Sequence, residues 1–183
     1  MTDSGTGTPG LPQPNASGSP ALRVPDHQLL RCIGRGSYGQ VWLARSVLGA
    51  LRAVKIVERA AFRDARPYER EFAGILRIEP LSRAHDGLID ILHVGRHEPE
   101  GFFYYVMELA DAATDGDPAP AQIEQDIARY APRTLAFELK HHGRLSFEEC
   151  VRLGLTISSA LSHIHQNGLV HRDVKPSNIL YVN

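Results

Sequence analysis

The run His171-Arg172-Asp173-Val174-Lys175-Pro176-Ser177-Asn178, followed by apolar Ile179-Leu180-Tyr181-Val182, constrains this chain more than any other stretch. It holds a carboxylate, cations and an amide in one short turn, which Pro176 stiffens by fixing its own φ. The Asp173 carboxylate can accept a proton from an attacking hydroxyl. Lys175 can neutralise charge on a phosphoryl group as it moves. Asn178 offers a hard carbonyl oxygen, the ligand type magnesium prefers. The competing reading is a solvated charged loop, and what stands upstream decides between them.

Upstream lies Gly34-Arg35-Gly36-Ser37-Tyr38-Gly39, between a short strand over Gln28 to Gly34 and a second strand at Val41-Trp42-Leu43. Glycines let the backbone fold closely over a phosphate chain and expose its N–H groups. Alone, this spacing would also suit a dinucleotide-binding turn and hence an oxidoreductase. That turn needs a helix straight after the last glycine. Here β-branched and aromatic residues follow, so a strand is expected. The next strand, Leu51 to Glu58, carries Lys55 between Val54 and Ile56. Such a lysine could sit on a solvent face, but its distance from the glycine run favours a phosphate ligand.

With these motifs in this order, the chain resembles the eukaryotic-type serine/threonine protein kinases. Its small-residue tail and insertion give it a bacterial character. The resemblance implies an α+β, protein-kinase-like fold: a small lobe of antiparallel sheet plus one helix, then an incomplete, mainly helical large lobe. It implies ATP and Mg2+ as cofactors and a protein substrate with a Ser or Thr hydroxyl. By resemblance Asp173 is the base, Lys175 steadies the γ-phosphate and Asn178 holds a metal ion. Lys55 aligns the α- and β-phosphates and pairs with Glu71, for which Glu69 is the competitor. The implied nucleotide site takes in Ile33, Gly34, Arg35, Gly36, Ser37, Tyr38, Gly39, Val41, Ala53, Lys55, Met107, Glu108, Ala110 and Leu180. Val41 and Ala53 would roof the adenine, Met107 would guard the back, and Glu108 and Ala110 would offer backbone groups. Asp111 and Asp115 are both open as the ribose ligand. The hydroxyl class rests on Lys175, where tyrosine kinases commonly differ. Arg172 beside the base suggests control by activation-loop phosphorylation. The family's Asp-Phe-Gly triplet does not occur before Asn183, so the expectation is an inactive fragment of a longer kinase. The alternative is a regulatory, nucleotide-binding fragment without transfer.

The expected organisation is a disordered tail at 1–25, a small lobe and hinge at 26–110, an insertion at 111–132, and the start of the large lobe at 133–183. The tail has too little apolar surface to offset its ordering entropy. A helix from about Arg66 to Leu81 should bury Phe72, Ile75, Leu76 and Ile78, with Pro80 closing the pattern. A strand following His85-Asp86-Gly87 should run to about His97. A turn at Glu98 to Gly101 then leads into a strand over Phe102 to Leu109. Within the insertion, Gln122 to Tyr130 suggests a short helix. Thr134 to His142 suggests another. Ser146 and Glu149 form a capping-box signature for a helix to Gln166, stopped by Asn167-Gly168. One of its rows (Val151, Leu155, Ser158, Leu161, His165) lies beside another (Leu153, Ile157, Ala160, Ile164), so a buried helix is expected.

Composition removes other classes. A net charge of -1 gives no electrostatic case for nucleic acid or an anionic membrane. The N-terminus lacks a signal-peptide pattern, and the apolar run at Phe102 to Leu109 is too short to span a bilayer. A cytoplasmic protein, or the cytosolic domain of a membrane-anchored parent, is expected. Cys32 and Cys150 match no metal spacing and read as reduced thiols. The nine histidines include His141-His142 and the pair His163 and His165, and lack cysteine or acidic partners at zinc-ligand spacing.

Overall fold

Strands form where β-branched and aromatic residues concentrate. In the computed structural model, which describes residues 22–36, 38–113 and 127–182, these are β1 (His27–Gly36), β2 (Gly39–Ser46), β3 (Leu51–Glu58), β4 (Ile91–His97) and β5 (Phe102–Met107). They pair antiparallel in the order β1-β2-β3-β5-β4. The helices are α1 (Ala65–Ser82), α2 (Leu135–His141) and α3 (Phe147–Gln166). The tail to residue 21, Ser37, Asp115 and most of the Gln122–Tyr130 stretch lie outside the described residues. Ile127–Arg129, at the end of that stretch, form a turn.

Side chains alternate across a strand, so register assigns each to a face. Trp42, Val54 and Val106 share one face, joined by Ala44, Ile56, Phe102 and Tyr104. This face is covered by residues assigned above to the disordered tail. Val24 is 5% exposed and bridges to His27, and Leu22 packs beside it. Order therefore begins before His27, because Leu22 and Val24 supply the apolar surface that the earlier tail lacks.

The opposite face is divided into zones. At the β3–β5 end, Val57 and Phe103 meet Tyr68, Phe72 and Ile75 of α1. Tyr68, 1% exposed, anchors this contact, whereas Leu76 is 50% exposed and stands off the expected apolar face. Asp64 caps α1, accepting a hydrogen bond from the Arg66 N–H at 3.0 Å. Pro67 falls in the first turn, where a missing N–H is harmless. Pro80 lies inside the last turn, and the helix continues past it to Ser82. At the β1–β2 end, Leu43 is fully buried against Tyr130 and Ala112 from the two limbs of the insertion. Between these covered ends lie Val41, Ala53, Lys55 and Met107.

The capping box at α3 forms. The Ser146 hydroxyl accepts from the Glu149 N–H at 3.2 Å, and the Glu149 carboxylate accepts from the Ser146 N–H at 2.8 Å. Ser146→Ala is expected to lower stability by about 1 kcal/mol, read as a lower urea midpoint at constant m-value. An unmoved midpoint would remove the cap from the stability of this helix. Gly168, at φ +69°, ends the helix in the left-handed region, which suits the stop at Asn167-Gly168.

The expectation that α3 is buried holds for one row only. Ala160 and Ile164 are 4% and 1% exposed, but Leu155 is 67% exposed, and Val151 and Phe147 are open too. The α1–β4 loop covers one side of α3: Gly87 sits against Thr156 and Ala160, and His85 Nε2 lies 2.8 Å from the Ser159 hydroxyl. Among the described residues nothing covers the Val151–Leu155 row. Among the same residues no helix is long and apolar enough to cross a membrane.

Candidate active site

Strand register brings the glycine run and Lys55 together. Gly34 faces Val41, Val41 faces Lys55, and Lys55 faces Tyr105, a row across four strands. Leu43, Ala53 and Met107 form the adjoining row. Gly36 pairs with Gly39, so the glycine run is a tight hairpin tip. A Cβ at Gly39 would lie 2.3 Å from the Ile56 carbonyl oxygen, in the backbone of the central strand. Only glycine permits that approach. Tyr38 at the tip stacks on Phe62 with ring centroids 4.9 Å apart, and Phe62 meets Tyr68 edge-on.

Burial works against the charge on Lys55, yet its pKa is raised overall. Tyr105, then Glu71 and then Asp173 together outweigh the burial. The ammonium lies 5.5 Å from the Tyr105 ring centroid. The Asp173 carboxylate is the last of the influences that favour the Lys55 charge. The direct Lys55–Glu71 ion pair expected from the sequence is absent among the described residues. Glu71 is solvent-exposed and acts on Lys55 through its field alone. The competitor Glu69 is committed elsewhere. Its carboxylate takes both forks of Arg96, at 2.8 and 2.6 Å, while that guanidinium lies over Tyr68 and Phe72.

The run 171–178 is exposed throughout. Arg172 adopts φ +63°, a left-handed conformation uncommon outside glycine. Lys175 Nζ lies 2.9 Å from one Asp173 carboxylate oxygen, and Asn178 Nδ2 donates to the other at 2.8 Å. The same Nδ2 donates to the Asp173 main-chain oxygen at 2.9 Å. Lys175, and after it Asn178, hold the Asp173 carboxyl below the ordinary aspartate range, so it stays charged at neutral pH. Because the amide nitrogen of Asn178 serves Asp173, its Oδ1 is left for a hard cation. Among the described residues no cluster of three His, Cys, Asp or Glu could hold a metal.

The connection after β5 meets the end of the catalytic run. The Asp111 N–H donates to the Tyr181 carbonyl at 2.9 Å, the Tyr181 N–H to Arg133 at 3.1 Å, and the Arg133 N–H to Asp111 at 2.8 Å. Leu180 bridges to Thr134, and the Leu135 N–H bonds Ile179. Half-buried Leu180 is thus fixed beside the Glu108–Ala110 connection. Among the described residues the Glu108 carbonyl and the Ala110 N–H carry no backbone hydrogen bond. The Glu108 side chain turns back to accept from the Asp90 N–H at 2.7 Å.

The sequence reading missed Tyr105, Phe62 and Tyr130. Tyr105 was open to inference, since β3 and β5 share a register in which it falls opposite Lys55. No local pattern marks Phe62 or Tyr130, whose partners are remote in sequence.

The protein kinase domain family matches residues 27–183. A probable serine/threonine-protein kinase of Clostridium perfringens is 28% identical over 84% of the chain, which spans 19% of that protein. A CBL-interacting serine/threonine-protein kinase of Arabidopsis thaliana is 31% identical over 93% of the chain, spanning 36% of its length. A serine/threonine-protein kinase of Phytophthora infestans is 32% identical over 94%, spanning 39%.

Proposed function

Because the chain belongs to the protein kinase family, matched over 27–183, we propose that in the complete protein it transfers the γ-phosphate of ATP to a Ser or Thr hydroxyl of a protein. One observation carries the reading: strand register sets the glycine run and Lys55 in one row, Gly34 facing Val41 and Val41 facing Lys55. A cation beside a glycine tip suits a triphosphate, and a carboxylate kept charged suits an incoming hydroxyl.

The residues divide the work by position. Lys55 meets the α- and β-phosphates beneath the Gly34–Gly39 tip, with Glu71 adding a favourable field. Val41, Ala53 and Met107 form the apolar side of the base site, and Glu108 and Ala110 supply its backbone groups. Asp173 orients the hydroxyl and accepts its proton. Lys175 lies beside that carboxylate, where negative charge builds on the moving phosphoryl group. The free Oδ1 of Asn178 fits Mg2+, which when bound offsets charge on the phosphate oxygens. The serine/threonine assignment draws on the position of Lys175 and on the names of the relatives.

The test is transfer from labelled ATP by the complete protein to matched Ser, Thr and Tyr peptides. Label on the Ser or Thr hydroxyl is expected. Label on Tyr alone would overturn the hydroxyl class. ATP binding with no transfer to any peptide would leave a regulatory nucleotide-binding role instead.

A further inference from the structure

We propose that Tyr130, at the foot of the insertion after β5, is a positioning residue for the adenine end of the nucleotide site, acting through its hydroxyl on Ala110. The proposal rests on the nucleotide-binding reading above and adds a role for a segment that reading leaves unused.

The insertion leaves and returns at one point. The Ala113 N–H donates to the Ala131 carbonyl at 2.8 Å, Ala112 bridges to Pro132, and the Arg133 N–H donates to Asp111 at 2.8 Å. This paired base fixes the returning limb. From that limb the Tyr130 hydroxyl donates to the Ala110 carbonyl at 2.9 Å, with the residue only 4% exposed. The peptide joining Ala110 to Asp111 is thereby held at both polar ends: its carbonyl by Tyr130, its N–H by the Tyr181 carbonyl. A peptide plane gripped at both ends has little freedom to rotate. The Ala110 N–H, one residue back, inherits that rigidity.

The same foot is tied to the wall bearing the glycine run. Arg31 of β1 donates from Nε to the Ile127 carbonyl at 3.1 Å and from its fork to the Tyr130 carbonyl. Ile127 and Tyr130 share an apolar cluster with Leu43, Leu109 and Ile33, the residue just before the glycines. One limb therefore fixes both the Ile33 wall and the Ala110 backbone. Burial raises the Tyr130 pKa, so the phenol keeps the proton it donates. Packing alone would be served equally by phenylalanine. The hydroxyl is the part that reaches Ala110.

The experiment compares the 183-residue chain with its Tyr130→Phe variant, titrating each with ATP·Mg2+ and separately with adenosine. Adenosine lacks phosphates and reports the base end alone. Affinity for both ligands is expected to fall by about three- to tenfold, the worth of one hydrogen bond. A lower unfolding midpoint with unchanged affinity would reduce Tyr130 to a packing residue and overturn the proposal. Loss for ATP alone would also overturn it, because the effect would then lie at the phosphates. Should Tyr130→Phe not fold, Arg31→Lys is judged by the same criteria, since it keeps the charge and loses the fork that holds the foot. Complete wild-type protein that binds neither ligand would sink the nucleotide-binding reading, and this proposal with it.

Discussion

Asp173→Asn in the complete protein is expected to lower phosphoryl transfer by about two to four orders of magnitude, the usual contribution of a positioned general base. ATP affinity should stay near wild type. The substitution is isosteric and falls on an exposed residue. It leaves the glycine tip and the Glu108–Ala110 backbone untouched, and takes from Lys55 only the last of the influences that favour its charge. What it removes is specific. The carboxylate is held in its charged form by Lys175 at 2.9 Å and by Asn178 at 2.8 Å. An amide at 173 keeps the shape, cannot take the proton, and leaves Lys175 without an anion. Steady-state transfer to a Ser peptide, alongside nucleotide titration, separates these effects. Turnover at the wild-type rate would remove Asp173 from the role of base. A parallel loss of ATP affinity would mean that the run 171–178 shapes the nucleotide site rather than the chemistry.

The features legible in the sequence are those that short-range physics dictates. The glycine hairpin could be read because a strand follows Gly39 where a dinucleotide site requires a helix. Strand β3 runs from Leu51 to Glu58 as expected, with the apolar pairs Ala53-Val54 and Ile56-Val57 buried on both faces. The Ser146 cap and the Gly168 stop were visible because each satisfies its own helix end. Features that depend on distant partners were not visible. Val24 is ordered only because the outer face of the sheet offers it a site. Lys55 meets Tyr105 because β3 pairs with β5, a strand that follows only after the whole of α1. Tyr130 reaches Ala110 because residues 112–113 pair with 131–132, and composition carries no trace of that pairing. The Val151–Leu155 row shows the converse error. Periodicity reports that a helix has an apolar face, not that something in the described structure covers it.

The same distinction between local and remote forces governs Lys55→Met, which should abolish most transfer without weakening the fold. Burial opposes the charge of Lys55, and only Tyr105, Glu71 and Asp173 tip the balance towards it. Methionine fills a similar volume and brings no charge to desolvate. Replacing a partly buried ion with an apolar side chain of like size is often neutral or stabilising. The urea midpoint is therefore expected to hold or rise. The phosphates, by contrast, lose their cation at the moment charge shifts, and transfer should fall by about two to three orders of magnitude. Measuring both quantities on one variant separates the two roles. A collapsed midpoint would show that the Lys55 charge holds the strands together. Wild-type transfer would place phosphate alignment with some other cation and take Lys55 out of the site.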